Sequence, residues 1–349
     1  HSSHKIHTLE LPDRSWKWRM HGGAITLAGQ FQQLNQKIDL LLCSDMLDVT
    51  TFLALTREKL RCPSALYFHE NQLTYPWSSI DREKTRKQHY EFINYASALA
   101  VDSCFFNSEY HRQSFLGALP KFLKQFPEPR NMWSVDRIRE KSAVLPVGVH
   151  LPPLEERLDV STPPRILWNH RWEYDKNPEL FFDALYAIKE KGLDFRLVIL
   201  GEAFETMPEC FPAAKERFAD HLDHYGYCDS RDEYWHWLSK SDILPVTSNQ
   251  EFFGISTVEA IHAGCFPILP DRLAFPELIP AEHQPVHLYN GSTEALVDRL
   301  ENFLHQPEQL HPAVIHHVRQ FEWSEMIPHY DRALSELHQK KAGELPAFG

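Results

Sequence analysis

Two glutamates, Glu251 and Glu259, lie on either side of a Phe-Gly turn in the second half of the chain. A short apolar run ends just before Glu251, which predicts a buried strand, and helical spacing of apolar residues begins at Gly254. We therefore place Glu251 in a strand-to-helix loop and Glu259 on the helix. A glycine lets a ligand approach the backbone closely, and the N–H groups at a helix start favour an anion. The pattern predicts a nucleotide-sugar site.

Each residue of this segment has a role in that prediction. Glu251 holds hydroxyls of the transferred sugar, and Glu259 holds the ribose diol. The first helical turn, with Phe253, Gly254 and Ile255, binds the phosphates. The alternative is two solvated carboxylates beside a packing glycine. However, a strand, a Glu-Phe-Phe-Gly turn and a Glu-Ala helix in succession are less common than a pair of glutamates.

Two cations, Arg171 and Lys176, lie five positions apart in a loop that follows a predicted strand over 165–168. Pro178 then opens a predicted helix. Open α/β sheets bind ligands at the C-terminal ends of their strands. A guanidinium fork and a mobile ammonium together can stabilise a departing nucleoside diphosphate without a metal ion. The alternative is a pair of surface cations beside neighbouring acidic residues.

Gly201 ends another predicted strand, where the backbone can approach the donor; a simple turn explains this glycine equally well. The candidate metal ligands are His221, His224 and Cys228. No fourth ligand has the spacing of a zinc site, so we predict neither a metal nor another cofactor.

A polar cluster follows a predicted buried strand in the first half of the chain: His69, Glu70, Asn71 and Gln72, with Tyr75 soon after. A dense polar cluster on a loop is more often functional than structural. His69 can donate to a sugar hydroxyl or stabilise a developing charge, and the next three residues offer acceptors for a vicinal diol. The alternative for His69 is a histidine satisfied by neighbouring backbone.

Charge is unevenly distributed along the chain. Residues 1–150 carry 19 Lys and Arg against 15 Asp and Glu, a net charge of +4, and the remainder carries 17 against 33, a net charge of −16; these sum to the −12 of the whole chain. A polyanionic acceptor should therefore dock on the first half. The candidate acceptor residues are the cations Arg82, Lys84, Arg86, Lys87, Lys121, Lys124, Arg130, Arg137, Arg139 and Lys141, with Tyr75, Trp77 and Tyr90 for stacking. A solvated helix face explains the same residues about as well.

The chain of 349 residues exceeds the usual size of one domain, and strand-like runs alternate with helical stretches along most of it. We predict two α/β domains, 1–150 and 165–323, joined by a proline-rich linker over 151–164, and a C-terminal helix and tail over 324–349. The predicted strands cover 38–43, 65–68, 99–106, 143–147, 165–168, 195–200, 243–246 and 265–269, and one clear helix covers 178–191. Six scattered cysteines, no apolar run of membrane-spanning length and no leader-like start predict a cytoplasmic protein that meets no membrane.

The segment from Glu251 to Glu259 resembles the signature of the retaining family 4 glycosyltransferases, which have the GT-B fold. This resemblance implies two Rossmann-like domains facing each other across a cleft, with a C-terminal helix that crosses back to the first domain. The stretch His224-Tyr-Gly226 is similar to the family's loop near the nucleotide base, although any turn would also require the glycine. The resemblance also implies attack from the same face, in which the leaving phosphate takes the acceptor proton.

A narrower resemblance covers nearly the whole chain. Trp16-Lys-Trp-Arg19, Tyr67-Phe-His69-Glu70-Asn71-Gln72, Phe106-Asn107-Ser108 and Trp168-Asn-His170-Arg171-Trp172 resemble the tRNA-queuosine mannosyltransferases. That implies GDP-mannose as the donor and the cyclopentenediol of queuosine in a tRNA anticodon as the acceptor.

The start of the chain departs from that family's pattern, because His1-Ser-Ser-His4-Lys5 runs directly into a predicted strand over 6–11. We therefore expect the family's first strand and helix to be missing here. Gly22 and Gly23 follow no apolar strand, so they indicate a turn or a close packing point rather than a phosphate loop.

The sequence thus predicts a retaining hexosyltransferase in which Arg171 and Lys176 stabilise the departing diphosphate. One alternative is a retaining enzyme that glycosylates a glycan or a small molecule from another nucleotide sugar. The more distant alternative is a non-catalytic protein of GT-B fold that binds nucleotide or RNA.

Overall fold

Parallel strands form two separate sheets in the computed structural model, which describes residues 2–12, 16–76, 84–153, 159–202 and 207–344. The chain divides into two compact units. The first contains residues 1–147 together with 324–349, and the second contains residues 148–323. Each unit is an α/β fold with its own sheet.

The first unit contains a four-stranded sheet of order β1-β2-β3-β4. Its strands are β1 Leu41–Ser44, β2 Ser64–Phe68, β3 Ser103–Phe106 and β4 Ser142–Val144. Its helices are α1 Trp16–Gln33, α2 Val49–Thr56, α3 Lys84–Ala100, α4 Glu109–Leu123 and α5 Trp133–Glu140. The core packs around Phe68, Phe106 and Phe115; the first two rings are stacked 4.7 Å apart.

The second unit contains a six-stranded parallel sheet of order β10-β9-β8-β5-β6-β7. Its strands are β5 Arg165–Trp168, β6 Arg196–Leu200, β7 Leu222–Gly226, β8 Ile243–Pro245, β9 Phe266–Pro270 and β10 Leu288–Tyr289. Its helices are α6 Pro178–Glu190, α7 Cys210–Arg217, α8 Arg231–Lys240, α9 Ile255–His262, α10 Gln284–His287, α11 Thr293–His305 and α12 Pro312–Arg319. Apolar β5 and β6 are buried, as expected of strands covered on both faces.

The last helix, α13, spans Trp323–Glu344, and from residue 324 onward it belongs to the first unit. The Tyr330 ring stacks on Tyr67, the next-to-last residue of β2, at 5.9 Å, and the Tyr330 hydroxyl donates to Pro146 O at 3.1 Å. Asp331 accepts hydrogen bonds from the hydroxyls of Ser2 and Ser3. The predicted C-terminal helix therefore packs on the first unit and ties down the first residues described.

Two predictions about the first unit were wrong. Residues 6–11 form no strand; Leu9 instead packs on the core, and a side chain at Gly23 would lie 2.9 Å from Leu11. Gly23 and its neighbour Gly22 lie within α1 rather than in a turn, so the packing alternative is the correct one. The predicted strand over 99–106 begins only at residue 103, because α3 continues to Ala100 and buries its apolar end.

Two strands of the second unit were not predicted. β7 is only half-buried and contains Asp223 and His224, so it lacks an apolar run. β10 has two residues. Both lie at the edges of the sheet, where a strand needs little apolar surface.

Candidate active site

A cavity of about 390 Å³ opens in the second unit, where β5, β6 and β7 end at their C-terminal edge. This is the edge at which parallel sheets bind ligands. The lining residues come from the loops after these three strands and from the start of α8: Asn169, His170, Arg171, Leu200, Gly201, Glu202, Tyr227, Cys228, Asp229, Ser230, Arg231 and Tyr234. Of the sequence-predicted donor residues, Arg171 and Gly201 line this cavity.

Glu259 lies on α9, as predicted, and its side chain is almost wholly buried. Arg231 Nη2 donates to Glu259 Oε1 at 2.5 Å, and Tyr234 OH donates to Glu259 Oε2 at 2.8 Å. Burial and the neighbouring carboxylate raise the pKa of Tyr234 well above its usual value, so its hydroxyl remains a donor. The carboxylate predicted to bind the ribose diol is thus held by two residues that also line the cavity.

The same hydrogen-bonded network continues to the loop after β5. Tyr234 OH lies 3.4 Å from Asn169 Nδ2, which donates to Ser256 O at 2.7 Å. The hydroxyl of Ser256 lies 2.9 Å from His170 Nδ1. Burial, together with the nearby charge of Lys176, lowers the pKa of His170 to about 3, so this imidazole is neutral. The network joins the first turn of α9 to the cavity wall.

Gly201 lines the cavity, and the packing around it also requires a glycine. Its φ is +135°, and a side chain at this position would come within 2.2 Å of His170 O. The close approach of these two loops therefore excludes any other residue.

Lys176 and Glu251, both predicted catalytic residues, form an ion pair with Lys176 Nζ 3.3 Å from Glu251 Oε2. Lys176 also lies 3.4 Å from Asp175 Oδ2 and donates to Gln250 O at 3.1 Å. Burial alone would lower the pKa of Lys176, but the two carboxylates together raise it, so the ammonium stays charged. The two carboxylates hold the buried ammonium in a fixed position.

The other oxygen of Glu251, Oε1, accepts from the backbone N–H of Phe252 at 3.1 Å and of Phe253 at 3.3 Å. The Phe253 amide, predicted to bind phosphate, therefore donates to Glu251 here, because the carboxylate folds back over its own turn. A phosphate at this amide would have to displace the carboxylate. Gly254 caps α9 with φ +101°, a conformation that favours glycine, and Ile255 is the first helical residue.

Two neighbours fix this loop in place. Thr247 Oγ1 donates to Lys176 O and Asn177 O, and Arg272 Nη2 donates to the carbonyl oxygens of Thr247 and Ser248. The loops after β5 and β8 are therefore joined by hydrogen bonds, which hold Lys176 and Glu251 at a fixed distance.

Arg171 differs from Lys176 in exposure. About half of its side chain is accessible, and its guanidinium pairs with Glu173 at 3.2 Å. It lines the cavity, so a half-exposed cation lies at the cavity and a buried one lies at the Glu251 loop.

His69, predicted as catalytic, follows β2 in the first unit. Its side chain is 58% exposed, with Nδ1 3.5 Å from Asp45 Oδ1, and its ring packs on Tyr67 at 4.7 Å. The backbone N–H of His69 donates to the same Asp45 oxygen at 3.0 Å. An anchored backbone with an exposed imidazole leaves the ring available to a substrate.

The residues after His69 have different environments. The Gln72 amide donates to Glu70 Oε1 at 2.9 Å. Asn71 is completely buried, and its amide bonds to Thr74, so its side chain shapes a turn and presents no surface to a ligand here. Tyr75 is partly buried. Lys84 and Arg86 lie on α3, but their side chains, like residues 77–83, lie outside the described part of the chain.

The sequence did not predict a role for His111, a buried residue that supports the polar cluster beginning at His69. Its Nδ1 lies 2.7 Å from Asn107 Oδ1, and Asn107 Nδ2 donates to His69 O at 2.9 Å. Burial lowers the pKa of His111 to about 3, with a contribution from His69. Ser108 caps α4 by accepting from the His111 N–H. These contacts fix the backbone that presents His69.

Potential metal ligands meet at one place in the described residues, where His224, Cys228 and Glu233 bring ligand atoms within 4.8 Å of one another. His221, weighed with them from the sequence, is not part of this group. Glu233 has a structural role there, because its Oε2 accepts from Asp229 N at 2.9 Å at the start of α8. Burial raises the pKa of the Cys228 thiol to about 11, which disfavours the thiolate that binds a metal.

No helix among the described residues is long and apolar enough to span a membrane. The cysteines at positions 43, 62, 104, 210, 228 and 265 are free thiols.

Comparison with known proteins identifies the family. Residues 1–149 match the family "tRNA-queuosine alpha-mannosyltransferase N-terminal", and residues 155–315 match "Glycosyl transferases group 1". The tRNA-queuosine alpha-mannosyltransferase of Drosophila melanogaster is 34% identical over 310 residues, which cover 86% of this chain and 79% of that protein. The chain belongs to the tRNA-queuosine alpha-mannosyltransferase family.

A more distant relative matches about half of the chain. The GDP-mannose:cellobiosyl-diphosphopolyprenol alpha-mannosyltransferase of Xanthomonas oryzae pv. oryzae is 25% identical over 51% of this chain and 48% of its own length. This chain therefore shares only about half of its length with that mannosyltransferase.

Solved structures show the fold of the family. Sucrose-phosphate synthase of Thermosynechococcus elongatus has a TM-score of 0.68 at 13% identity, covering 95% of this chain and 81% of that one. The trehalose 6-phosphate synthase of Burkholderia multivorans has a TM-score of 0.66 at 14% identity, covering 97% and 79%. The predictions of a GT-B fold and of a glycosyltransferase are confirmed.

Proposed function

We propose that this protein transfers mannose from GDP-mannose to the cyclopentenediol of queuosine in tRNA, with retention of the anomeric configuration. The observation that carries the proposal is the match of residues 1–149 to the family-specific N-terminal region, combined with the match to a relative of that name over most of the chain. The Lys176–Glu251 pair and the Glu259 network supply the chemistry that such a transfer requires.

The second unit binds the donor in this proposal. Glu259 accepts hydrogen bonds from the ribose diol. Arg171 and Lys176 face the diphosphate, and Glu251 holds hydroxyls of the mannose. As the bond from the anomeric carbon to the phosphate oxygen breaks, negative charge grows on the diphosphate. A buried Lys176 whose raised pKa keeps it charged stabilises that oxygen without a proton transfer.

The first unit binds the acceptor. His69 donates to a hydroxyl of the cyclopentenediol, and its exposed ring over an anchored backbone suits that role. The attacking hydroxyl forms the new bond to the anomeric carbon on the face that the diphosphate leaves, and its proton passes to the departing phosphate oxygen. No protein nucleophile is needed, and we propose that no metal takes part.

The test uses three RNA conditions with GDP-mannose and the purified protein: tRNA that contains queuosine, the same tRNA without queuosine, and no RNA. We expect the mass of one hexose to be added only to the queuosine nucleoside, as measured by mass spectrometry of the digested RNA. Equal consumption of donor in all three conditions would refute the acceptor assignment.

The donor is tested separately by thermal stabilisation, since a ligand that binds only the native state raises the Tm. GDP-mannose should raise the Tm more than UDP- or ADP-sugars at equal concentration. A greater shift with a UDP-sugar would remove mannose from the proposal and leave the fold and family unchanged.

A further inference from the structure

Residues 1–150 contain two short stretches with a net charge of +3, residues 82–87 and residues 121–141, and the structure describes the side chains of the second. Residues 121–141, here called the basic segment, carry six Lys and Arg against three Asp and Glu. The segment contains the end of α4, the loop that follows and all of α5. It also lies within the family-specific match, where selection of the acceptor must be encoded if the proposed function holds.

A large aromatic side chain is exposed in the middle of the basic segment. Trp133, the first residue of α5, is 63% exposed, and Met132 beside it is 39% exposed. Burying an indole stabilises a fold strongly, so an indole left in water on a rigid helix is more consistent with a binding surface than with a packing role. Single-stranded RNA is bound by such side chains, because every base has a face that stacks on an aromatic ring.

Cations surround this indole in the sequence and on its helix. Arg137 lies one helical turn after Trp133, on the same face of α5. Arg137 has no ion-pair partner among the described side chains, and the same is true of Lys121 on α4 and of Lys124 directly after it. Arg130 makes only an exposed pair with Glu128 at 3.4 Å. Other cations of the segment are already engaged: Arg139 pairs with Asp136, and Lys141 donates to the carbonyls that end α3.

The helix that presents Trp133 is firmly held on its other side. Ser134, Val135 and Ile138 are buried. Ser134 Oγ donates to Asn131 O at 2.7 Å and lies 2.8 Å from Tyr95 OH. The helix that carries the exposed indole is therefore fixed, so little conformational entropy is lost when the indole binds a ligand.

We propose that the exposed residues of the basic segment, among them Trp133, Arg137, Arg130, Lys121 and Lys124, dock the tRNA acceptor. An unpaired base stacks on Trp133 and the flanking phosphates lie against the cations. This inference rests on the proposed function, since it takes tRNA as the acceptor.

The experiment measures mannose transfer to an anticodon stem-loop that contains queuosine. Trp133→Ala removes a stacking partner, and we expect the KM for the stem-loop to rise about 5- to 30-fold, while the KM for GDP-mannose and the Tm remain unchanged. Arg137→Glu should raise the KM for RNA and make the salt dependence of RNA binding shallower by about 1 to 2 in log–log slope.

Two matched variants serve as controls. Trp18→Ala removes an indole of similar exposure on α1, and Lys37→Glu reverses a cation outside the basic segment. Both should leave the KM for RNA near that of the unmodified protein. Equal losses in the test and control variants, or no loss with Trp133→Ala and Arg137→Glu, would overturn the docking surface. The proposed function fails only if the unmodified protein does not mannosylate the stem-loop.

Discussion

At the scale of single residues, the most informative contact is the pair of hydrogen bonds on Glu259. Its carboxylate cannot turn freely toward a ligand, because Arg231 and Tyr234 each hold one oxygen. Either partner alone would leave a buried carboxylate poorly compensated. We infer that the two together aim the remaining lone pairs of Glu259 at the cavity that both partners line.

Tyr234→Phe tests this positioning role. In the proposed function Glu259 holds the ribose diol, so loss of a hydrogen bond to this charged group should weaken GDP binding by about tenfold. With 2′,3′-dideoxy-GDP there is no diol to hold, so the same substitution should change the affinity by less than about twofold. Calorimetric titration of both nucleotides measures the difference.

Tyr227→Phe is the control for this experiment, since Tyr227 lines the same cavity but is 73% exposed. It should leave the affinity for both nucleotides nearly unchanged. If Tyr234→Phe weakens GDP and its dideoxy analogue by the same factor, Tyr234 supports the fold of the cavity and does not position Glu259 for the ribose.

Sequence could not identify Arg231 and Tyr234 as site residues. They lie 28 and 25 positions before Glu259 on a different helix, and only the folding of α8 beside α9 brings them together. Glu251 and Lys176 were predicted because each lies in a loop after an apolar strand, which is a local signal. Asn71 had the same kind of signal but is buried, because a polar cluster on a loop does not reveal which side chain turns inward.

At the scale of elements, the strands with continuous apolar runs were predicted well and the edge strands were missed. β5 has the predicted bounds, 165–168, and α6 begins at the predicted Pro178. Local apolar pattern identifies an element that is buried on both faces, whereas β7 depends on its partner β6 for its hydrogen bonds and has a mixed composition. The strand predicted over 6–11 was wrong because apolar side chains of this segment pack on α1 and on the core, and the segment joins no sheet.

The turn at the start of α9 depends on a glycine. Gly254 has φ +101°, and an added Cβ would lie 3.3 Å from Leu278 Cδ1. Gly254→Ala should therefore lower the stability of the second unit by about 1–2 kcal/mol, through backbone strain and this contact. Because the glycine caps the helix after Glu251, donor-induced thermal stabilisation should fall as well. Differential scanning calorimetry with and without GDP-mannose measures both effects.

Gly29→Ala is a control that should change the stability in the opposite direction. Gly29 lies inside α1, and an added Cβ there meets nothing within 4 Å. Alanine has the higher helix propensity, so this change should stabilise the protein by about 0.4–1 kcal/mol. A Gly254→Ala protein that is as stable as the unmodified one and responds equally to the donor would show that the left-handed turn is not required.

At the scale of the whole molecule, the first 150 residues and the rest of the chain differ in charge and in sequence relationship. The part of the chain up to residue 150 carries +4 and the remainder −16. The basic part matches the family-specific region, and the acidic part matches a region common to glycosyltransferases. If the acceptor is RNA, as proposed, the first part of the chain attracts it and the second part repels it.

Each unit also contains a buried neutral histidine, His111 in the first and His170 in the second. The stability of both units should therefore depend on pH. The folded-state pKa of each is about 3, below the value of about 6.5 in an unfolded chain. Between these values the unfolded state binds more protons, so stability is complete above pH 6.5 and falls as the pH is lowered toward 3. At pH 5 each histidine should cost about 2 kcal/mol.

His111→Gln tests this through the free energy of unfolding in urea, measured from pH 7 to pH 5. Without His111 the unfolded state binds one proton fewer relative to the folded state. The slope of the unfolding free energy against pH should therefore fall by about 1.4 kcal/mol per pH unit in the lower part of that range. His150→Gln changes an exposed histidine and should leave the slope as it is. An unchanged slope in His111→Gln would mean that its imidazole is protonated in the folded protein, and the neutral Asn107–His111 contact that supports the His69 loop would then have to be reassigned.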